Sequence, residues 1–388
     1  MPSSSKSYDV VVVGAGVIGL ACGWRAAQRG RSVLAIDRAS PGAGASGVAA
    51  GMLAPVTEAT FGEQGLLELN LESARLWPRF AAEVEDASGQ EIGYASTGAI
   101  VVAADADEAR ELRRLREFKR SLGLDAEWLS GRQCRALEPG LAPRVAGGIL
   151  APGDAYVDPP ALVRALAGAL VRAGGEIAAE TEAAKILTLD GAVTGVGTPA
   201  GEISAGSVVI AAGAWSGALS HPEAPPVRPV KGQVLELRVP AGARRPASRL
   251  IRTPSCYLVS RGDGRVTLGA TVEERGFDGA VTAGGLHELL EAAREVLPDV
   301  DELELVEARA GLRPGTPDNL PVIGAGATDG LIWATGHHRN GVLLAPLTGA
   351  AVAGLLTGEP VPRWGEHCSP LRFGVNPEEV AAPIAGRL

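Results

Sequence analysis

Two histidines and an arginine near the end of the chain are the residues whose types most directly suggest chemistry. They stand in the stretch TGHHRNGVLLAP, residues 335–346, beside an apolar run flanked by glycine. A guanidinium next to a buried run requires an anionic or strongly polar partner, because an unpaired buried charge is costly on the scale of a whole domain's stability. No acidic residue lies within the stretch. The partner of Arg339 must therefore come from elsewhere in the chain or from a ligand.

His337 and His338 could also suggest a metal site or a general base. Two adjacent side chains point in different directions and make a poor chelate, and no acidic residue or cysteine follows at the spacing of a metal-ligand set. The sequence therefore predicts that no metal is bound here.

A second group of residues, at the N-terminus, is suited to binding a dinucleotide. In YDVVVVGAGVIGLACGWRAAQRGRSVLAIDR, residues 8–38, three glycines fill the pattern GxGxxG between a valine run and a helical stretch. Gly14 permits the tight turn, Gly16 lets a pyrophosphate approach the backbone, and Gly19 allows the helix to pack closely on the strand. Asp37, at the end of the next apolar run, is placed to accept hydrogen bonds from a ribose.

The segment after Asp37 bears on the choice between FAD and NAD, which the glycine motif alone leaves open. NAD-binding folds usually continue into another crossover helix, whereas ASPGAGASGVAAGMLAP, residues 39–55, is a loop of small residues. Its many backbone N–H groups and small side chains suit the pyrophosphate and flavin ring of an extended FAD. Contacts with the cofactor are expected from this loop, at Ala45, Ser46, Ala50, Gly51 and Met52.

The elements that must position these residues are predicted to form two interleaved domains. The N-terminal unit and the segments GDAYVDPPALVRALAGALVRAGGEI and ISAGSVVIAAGAWSGAL alternate strand and helix patterns, with Asp158 as the expected N-cap of one helix. From Val227 to about Asp278 the pattern becomes hairpin-like, as in an antiparallel sheet. The predicted fold class is α/β, with an FAD-binding doubly wound parallel sheet interleaved with an antiparallel-sheet substrate domain. The FAD-binding domain is predicted at residues 1–90, 151–226 and 311–388, and the substrate-binding domain at residues 91–150 and 227–310.

Composition excludes some functions. The net charge of −9 argues against nucleic acid as a partner, because nucleic-acid binding normally requires a basic face. One basic segment, ARELRRLREFKRSLG, residues 109–123, carries Leu112, Leu115, Phe118 and Leu122 at helical spacing. This spacing predicts a helix with a solvated basic face and an apolar core stripe, and a docking patch is the alternative.

Cysteines and hydropathy indicate the compartment. Cys22, Cys134, Cys256 and Cys368 are far apart and form no CxxC pair, so neither a zinc site nor a redox-active disulfide is indicated. They are interpreted as reduced thiols of a cytoplasmic protein. The apolar run at residues 10–24 is shorter than the roughly 20 residues needed to span a membrane, so no membrane segment is predicted.

Seven segments together resemble the D-amino acid oxidase family of flavoenzymes. They are the N-terminal unit, YVDPPALVRAL, AAGAWSGAL, KGQVLEL, CYLVSRGDGRVTLGAT, AGLRPGTPDNLPVIG and ATGHHRNGVLLAPLTG, and they extend over about residues 6–357. GLRPGTPD and GHHRNGVLLAP are the most specific. Within the family, the chain is most similar to members that oxidise glycine for the thiazole of thiamine. His338 departs from the pattern, because relatives often carry an aromatic residue there, which leaves the entrance of the site and the substrate size open.

This resemblance implies an oxidative deamination of glycine and other small amines. The amine would be oxidised by hydride transfer from its α-carbon to N5 of FAD, and water would hydrolyse the imine to the oxo acid and ammonia. Oxygen would reoxidise the flavin, with hydrogen peroxide as the product. The implied partners are a small amino acid and oxygen, with no nucleic acid, no membrane and a possible homo-oligomer. A sarcosine or D-amino acid oxidase or dehydrogenase of the same family is the alternative.

The resemblance also implies roles for individual residues. Arg313, in GLRPG, would pair with the substrate carboxylate, because a bidentate guanidinium suits that geometry better than an ammonium does. Tyr257 would add a hydroxyl donor. Arg339 would lie by the flavin at the start of the last helix, whose N–H groups stabilise negative charge on the reduced ring. FAD should be non-covalent, because Gly311 stands near the position of the cysteine that tethers flavin in sarcosine oxidases. Other cofactor contacts are expected from Val17, Ile18, Arg38, Ala183, Gly213, His337, His338, Arg339, Asn340, Gly341, Val342 and Leu343.

Other classes with a related nucleotide fold fit less well. Flavin disulfide reductases require a cysteine pair that the chain lacks, and the NADPH contacts of flavin hydroxylases are not found. GTPase-escort proteins use the fold as a binding module without flavin. The joint presence of Tyr257, Arg313 and Arg339 in matching segments favours an enzyme over such a module.

Overall fold

The structure, a computed structural model, describes residues 6–374. Its strands are β1 Ser7–Val13, β2 Val33–Ile36, β3 Met52–Leu53, β4 Ala99–Ala103, β5 Glu127–Ser130, β6 Gly147–Ala151, β7 Ala155–Tyr156, β8 Glu176–Ala178, β9 Lys185–Leu189, β10 Ala192–Thr198, β11 Gly201–Ile210, β12 Arg228–Arg238, β13 Leu250–Arg252, β14 Tyr257–Ser260, β15 Arg265–Gly269, β16 Glu304–Gly315, β17 Val322–Ala325 and β18 Leu331–Thr335. Its α-helices are α1 Val17–Gln28, α2 Ala45–Val48, α3 Gln64–Ser88, α4 Ala106–Ser121, α5 Gly131–Leu137, α6 Pro159–Arg172, α7 Ala283–Val296, α8 Ala345–Leu356 and α9 Gly365–Cys368. Short 3₁₀ turns lie at Gly213–Ala218, Pro298–Glu302, His338–Asn340 and Pro370–Phe373.

The first sheet contains the N-terminal valine run as a central strand. Its order is β17-β18-β11-β1-β2-β8, and β18, β11, β1, β2 and β8 pair in parallel. Val10 and Val12 pack with α1, α3, α6 and α8 on one face, whereas Val11 and Val13 pack on the other face against β10. Burial on both faces is what a continuous apolar strand predicts. As predicted, Asp158 caps α6, where its side chain accepts a hydrogen bond from the backbone N–H of Ala161.

The second sheet is mainly antiparallel and carries the other side of the molecule. Its order is β16-β12-β15-β14-β13-β4-β6-β5, and β12 pairs along most of its length with β16. The turn between β14 and β15 is the predicted GDG hairpin, closed by a hydrogen bond from the N–H of Arg261 to the carbonyl of Arg265. Helix α7 covers one face of this sheet through Leu289, Ala293 and Val296.

Together the two sheets confirm the predicted α/β fold class. The domain boundaries stay a prediction. The predicted boundary at residue 310 falls inside strand β16, and the predicted ends at residues 1 and 388 lie outside the described residues. None of the helices within residues 6–374 combines the length and the apolar character that crossing a bilayer requires.

Helix α4 corrects one expectation from the sequence. Lys119, assigned to a solvated basic face, is 0% exposed, whereas Leu122, assigned to the core stripe, is 38% exposed. The Lys119 ammonium donates hydrogen bonds to the carbonyls of Val56 (2.7 Å) and Thr57 (3.0 Å). The carboxylate of Asp154 accepts from the N–H groups of the same two residues, at 3.2 and 3.0 Å. These hydrogen bonds to carbonyls that are distant in the sequence compensate for the burial of the Lys119 ammonium.

Candidate active site

A cavity of about 900 Å³ is lined by residues of both sheets, and its size is near the top of the range of about 300–1,000 Å³ for cofactor and ligand sites. Every residue that the sequence assigned to the cofactor or to catalysis lines it, except Gly19. From the first part of the chain these are Gly14, Gly16, Val17, Ile18, Asp37, Arg38, Ala45, Ser46, Ala50, Gly51, Met52, Ala183 and Gly213. From the later part they are Tyr257, Arg313, His337, His338, Arg339, Asn340, Gly341, Val342 and Leu343.

The glycine turn between β1 and α1 has no room for side chains. Gly14 has a φ of +105°, and a Cβ there would lie 2.4 Å from the carbonyl oxygen of Ala211. A Cβ on Gly19 would lie 1.8 Å from the carbonyl oxygen of Gly14, so Gly19 allows the helix to pack on the turn although it does not line the cavity. A Cβ on Gly16 would lie 3.1 Å from Oγ of Ser46. The turn therefore presents backbone, at a helix N-terminus, to whatever fills the cavity.

Asp37 stands at the end of β2, beside this turn. Its carboxylate accepts hydrogen bonds from the N–H of Ala15 (2.8 Å) and the N–H of Ala39 (2.9 Å). Because a carboxylate has about four acceptor positions, these two bonds leave capacity for a ribose hydroxyl. The next residue, Arg38, places its guanidinium 3.7 Å from the ring centre of Trp215 at the same cavity.

Tyr257 and Arg313 lie on one face of the second sheet, and glycines on neighbouring strands make space for them. Tyr257 is directly opposite Gly269, and a Cβ on that glycine would lie 2.5 Å from the tyrosine Oη. A Cβ on Gly232 would lie 2.3 Å from Nη1 of Arg313. Both polar groups therefore lie over glycine residues, which have no side chain, and both line the cavity.

The guanidinium of Arg313 is fixed by backbone but has no carboxylate partner within residues 6–374. Nη1 donates to the carbonyls of Lys231 (3.3 Å) and Thr271 (3.1 Å). Burial raises the pKa of Tyr257 above its ordinary value, and the charge of Arg313 opposes that rise only in part. At neutral pH this part of the cavity thus offers a neutral hydroxyl donor beside a cation without a counter-ion.

Arg339, in contrast, has two partners supplied by the chain. Its Nε lies 2.8 Å from Oε2 of Glu58, and its Nη2 lies 2.5 Å from Oε2 of Glu63. The other oxygen of Glu58 accepts from Nη1 of Arg252. Burial alone would raise the pKa of Glu58, but the guanidiniums of Arg252 and Arg339 outweigh it and lower that pKa, so Glu58 is ionised. Arg339 lies in the 3₁₀ turn at residues 338–340, before α8 begins, and not at the start of the helix as expected.

Sequence reasoning missed Glu58, Glu63 and Arg252. Glu58 and Glu63 follow directly after the small-residue loop, in VTEATFGEQG. Two facts together could have identified both glutamates. Arg339 requires an anionic partner, and these acidic residues follow a loop that was already assigned to the same site. Arg252 gives no such signal.

The two histidines are neutral at physiological pH. His337 is buried, with Nε2 3.0 Å from Oγ1 of Thr348, and burial lowers its pKa to about 3. Burial, with a contribution from the nearby charges of Arg339 and Arg313, lowers the pKa of His338 to about 4. His338 also has a φ of +46°, which is uncommon outside glycine. In the part of the chain that the structure describes, no three His, Cys, Asp or Glu side chains are grouped as a metal site would require.

The backbone after these histidines is held by helix α3. The carbonyl of Leu343 accepts hydrogen bonds from Oγ of Ser73 (2.6 Å) and Nε1 of Trp77 (2.8 Å), both of which are buried. These bonds fix the segment that leads into α8 at Ala345. Val342 and Leu343, which precede α8, line the cavity.

Comparisons with known proteins agree with this geometry. The family described as DAO, FAD dependent oxidoreductase, matches residues 9–355. A glycine oxidase from Geobacillus kaustophilus is 37% identical over 353 residues, which cover 90% of this chain and 93% of that protein. The bifunctional protein ThiO/ThiG of Trichormus variabilis is 36% identical, and the match covers 89% of this chain and 52% of that longer protein. The crystal structure of glycine oxidase from Geobacillus kaustophilus superimposes with a TM-score of 0.88 at 36% identity, over 95% of this chain and 99% of that chain.

Proposed function

Because this chain belongs to the DAO family of FAD-dependent oxidoreductases, as its resemblance to D-amino acid oxidases predicted, we propose that it oxidises glycine and other small amino acids to the oxo acid, ammonia and hydrogen peroxide. The observation that carries this proposal is the guanidinium of Arg313, which faces the cavity beside Tyr257 and has no carboxylate partner in residues 6–374. A small substrate carboxylate is the anion that such a bidentate donor fits.

FAD fits the residues that are present. The turn at Gly14 and Gly16 lines the cavity without side chains, and Gly213 has no heavy atom within 4 Å of the position of a Cβ. The turn at Gly14 and Gly16 would hold the pyrophosphate, Asp37 the ribose, and the residues at 337–343 the flavin end. When bound, FAD supplies the hydride acceptor of the reaction.

The side chains of the chain itself bind and orient the substrate. Arg313 pairs with the carboxylate, and the neutral hydroxyl of Tyr257 donates a further hydrogen bond to it. With the carboxylate fixed, the α-carbon of a small amino acid is restricted to few positions, which favours one approach to the cofactor. The neutral His338 adds no charge near the substrate amine.

The similarity to the ThiO/ThiG protein supports a role in making the thiazole of thiamine. The match covers about half of that protein, so this chain would supply the oxidase half. A sarcosine or D-amino acid oxidase or dehydrogenase is the alternative within the family. A homo-oligomer remains a prediction.

Peroxide release from glycine, sarcosine and the D- and L-amino acids tests the proposed function. We expect glycine to give the highest kcat/KM. A higher value for sarcosine or a D-amino acid would move the assignment to the alternative. FAD reduction by glycine without peroxide release would indicate a dehydrogenase. No reduction of FAD by any of these amines would overturn the proposal.

Replacing Asp37 by alanine is expected to weaken FAD binding by about 1.5–3 kcal/mol, the range for losing a charge-assisted hydrogen bond. The chemistry of the FAD-loaded enzyme should change little, because Asp37 lies at the ribose position and not beside Tyr257 or Arg313. Titration of the apoprotein with FAD measures the first effect, and turnover at saturating FAD measures the second. Unchanged FAD affinity would limit Asp37 to its hydrogen bonds with Ala15 and Ala39.

Acid precipitation of the protein is expected to release all of its FAD. Gly311, at the position considered for a covalent tether, cannot form one. Cys256 also lines the cavity, but burial raises the pKa of its thiol and so disfavours the reactive thiolate. Absorbance of the supernatant at the flavin bands gives the released fraction. Yellow colour that remains in the pellet would contradict non-covalent binding.

A further inference from the structure

Four guanidiniums line the cavity. That of Arg38 lies over the ring of Trp215, and of the other three only two have carboxylate partners within residues 6–374. Arg252 and Arg339 share Glu58, and Arg339 also contacts Glu63, whereas Arg313 bonds only to carbonyls. In the group formed by Arg252, Arg339, Glu58 and Glu63, the two positive charges are balanced by two negative charges. The remaining positive charge at this end of the cavity is the single charge of Arg313, which one carboxylate would neutralise.

Glu58 uses both of its oxygens in this group. Oε1 accepts from Nη1 of Arg252 and Oε2 accepts from Nε of Arg339, and the side chain is 8% exposed. Glu63 accepts from Nδ2 of Asn319 (3.0 Å) in addition to its contact with Arg339. A second anion entering the cavity would therefore meet guanidiniums that are already occupied, and a buried negative charge beside them.

The backbone that carries Glu58 is held on both sides of the chain. Lys119 binds the carbonyls of Val56 and Thr57, and Asp154 binds their N–H groups. The hydroxyl of Thr57 also donates to Asp154, at 2.7 Å. Because the two preceding residues are held in this way, the backbone at Glu58 cannot shift without breaking buried, charge-assisted hydrogen bonds.

We propose that Glu58 determines substrate specificity by restricting the site to amino acids with one carboxylate. Its carboxylate pairs with the guanidiniums of Arg252 and Arg339, so that a second substrate carboxylate cannot bind them. Its negative charge also repels the second carboxylate of an amino dicarboxylate. The proposal rests on the proposed function, since it concerns the substrates of that same site. Specificity of this kind is a difference between two affinities, so it is measured as a ratio.

Sarcosine and iminodiacetate form a matched pair of test substrates. Both are secondary amines with one acetate arm, and the second arm is a methyl group in sarcosine and a further acetate in iminodiacetate. In the Glu58→Gln holoenzyme, the ratio of kcat/KM for iminodiacetate to that for sarcosine is expected to rise at least 10-fold. A ratio within about 2-fold of that of the unmodified enzyme, in a variant that retains FAD and sarcosine oxidation, would overturn the proposal.

Glu83→Gln is the matched control variant. Glu83 also accepts from two arginines, Arg25 and Arg79, but it does not line the cavity. Its ratio should equal that of the unmodified enzyme. A rise as large as that of Glu58→Gln would show that loss of any shared carboxylate has this effect, and would overturn the assignment to Glu58.

Binding of acetate and malonate, followed through the flavin absorbance spectrum, separates this proposal from the proposed function. If the unmodified holoenzyme oxidises no amine, the proposed function fails, and the ratio of the two Kd values still decides the role of Glu58. In Glu58→Gln, the ratio of the Kd for acetate to the Kd for malonate should rise at least 10-fold. If that variant does not fold, Glu58→Ala removes the same charge and leaves both guanidiniums in place, so it should show the same gain; no gain there overturns the proposal.

Discussion

Replacing Arg313 by alanine is expected to lower kcat/KM for glycine roughly 30- to 700-fold. This corresponds to a loss of about 2–4 kcal/mol of transition-state stabilisation, as for a buried charge pair that loses one partner. Of the guanidiniums of Arg252, Arg313 and Arg339, that of Arg313 alone has no carboxylate partner within the described residues, so neither of the other two is free to replace it. Steady-state peroxide release over a range of glycine concentrations measures the effect, which should appear mainly as a higher KM.

Lysine at the same position separates charge from geometry. Arg313→Lys keeps the positive charge but loses the two-pronged donor, so a smaller but still large rise in KM is expected. Primary amines without a carboxylate are the control substrates and should lose much less, because they do not use the anchor. Near-normal constants for glycine in both variants, with reduced FAD content, would assign Arg313 to the cofactor. The substrate carboxylate would then have to bind at Tyr257 and Arg339.

Replacing Gly14 by alanine is expected to abolish FAD loading during purification and to lower Tm. A Cβ there would lie 2.4 Å from the carbonyl oxygen of Ala211 and 2.8 Å from its carbon, which forces β1 and the end of β11 apart beneath the pyrophosphate position. The φ of +105° adds strain of about 1–3 kcal/mol for any residue with a side chain. The ratio of flavin to protein absorbance and a melting curve measure both effects.

Gly30→Ala is the matched control for this strain. Gly30 has a φ of +81°, and no heavy atom lies within 4 Å of its Cβ position. Only the backbone strain remains there, so the expected loss of stability is about 1–3 kcal/mol with full FAD content. Full FAD content in Gly14→Ala, with a Tm near that of Gly30→Ala, would contradict the assigned role of the turn.

The local features of the chain were determined by its sequence. The valine run, the glycines at 14, 16 and 19 and the acid at 37 lie within one strand, turn, helix and strand unit. Their conformations follow from steric limits on φ and ψ and from burial patterns that operate over a few residues. The GDG hairpin and the Asp158 cap were predictable for the same reason.

The charge partners, in contrast, were decided only by the tertiary structure. Arg339 and Glu58 are 281 positions apart in the chain, and Lys119 and Val56 are 63 apart. No periodicity relates such residues, because a buried ionic group accepts any oxygen of suitable geometry that folding brings within reach. The sequence could therefore state that Arg339 needs an anion, but not that Glu58 and Glu63 supply it, nor that Arg313 beside Tyr257 has no carboxylate partner in the described residues.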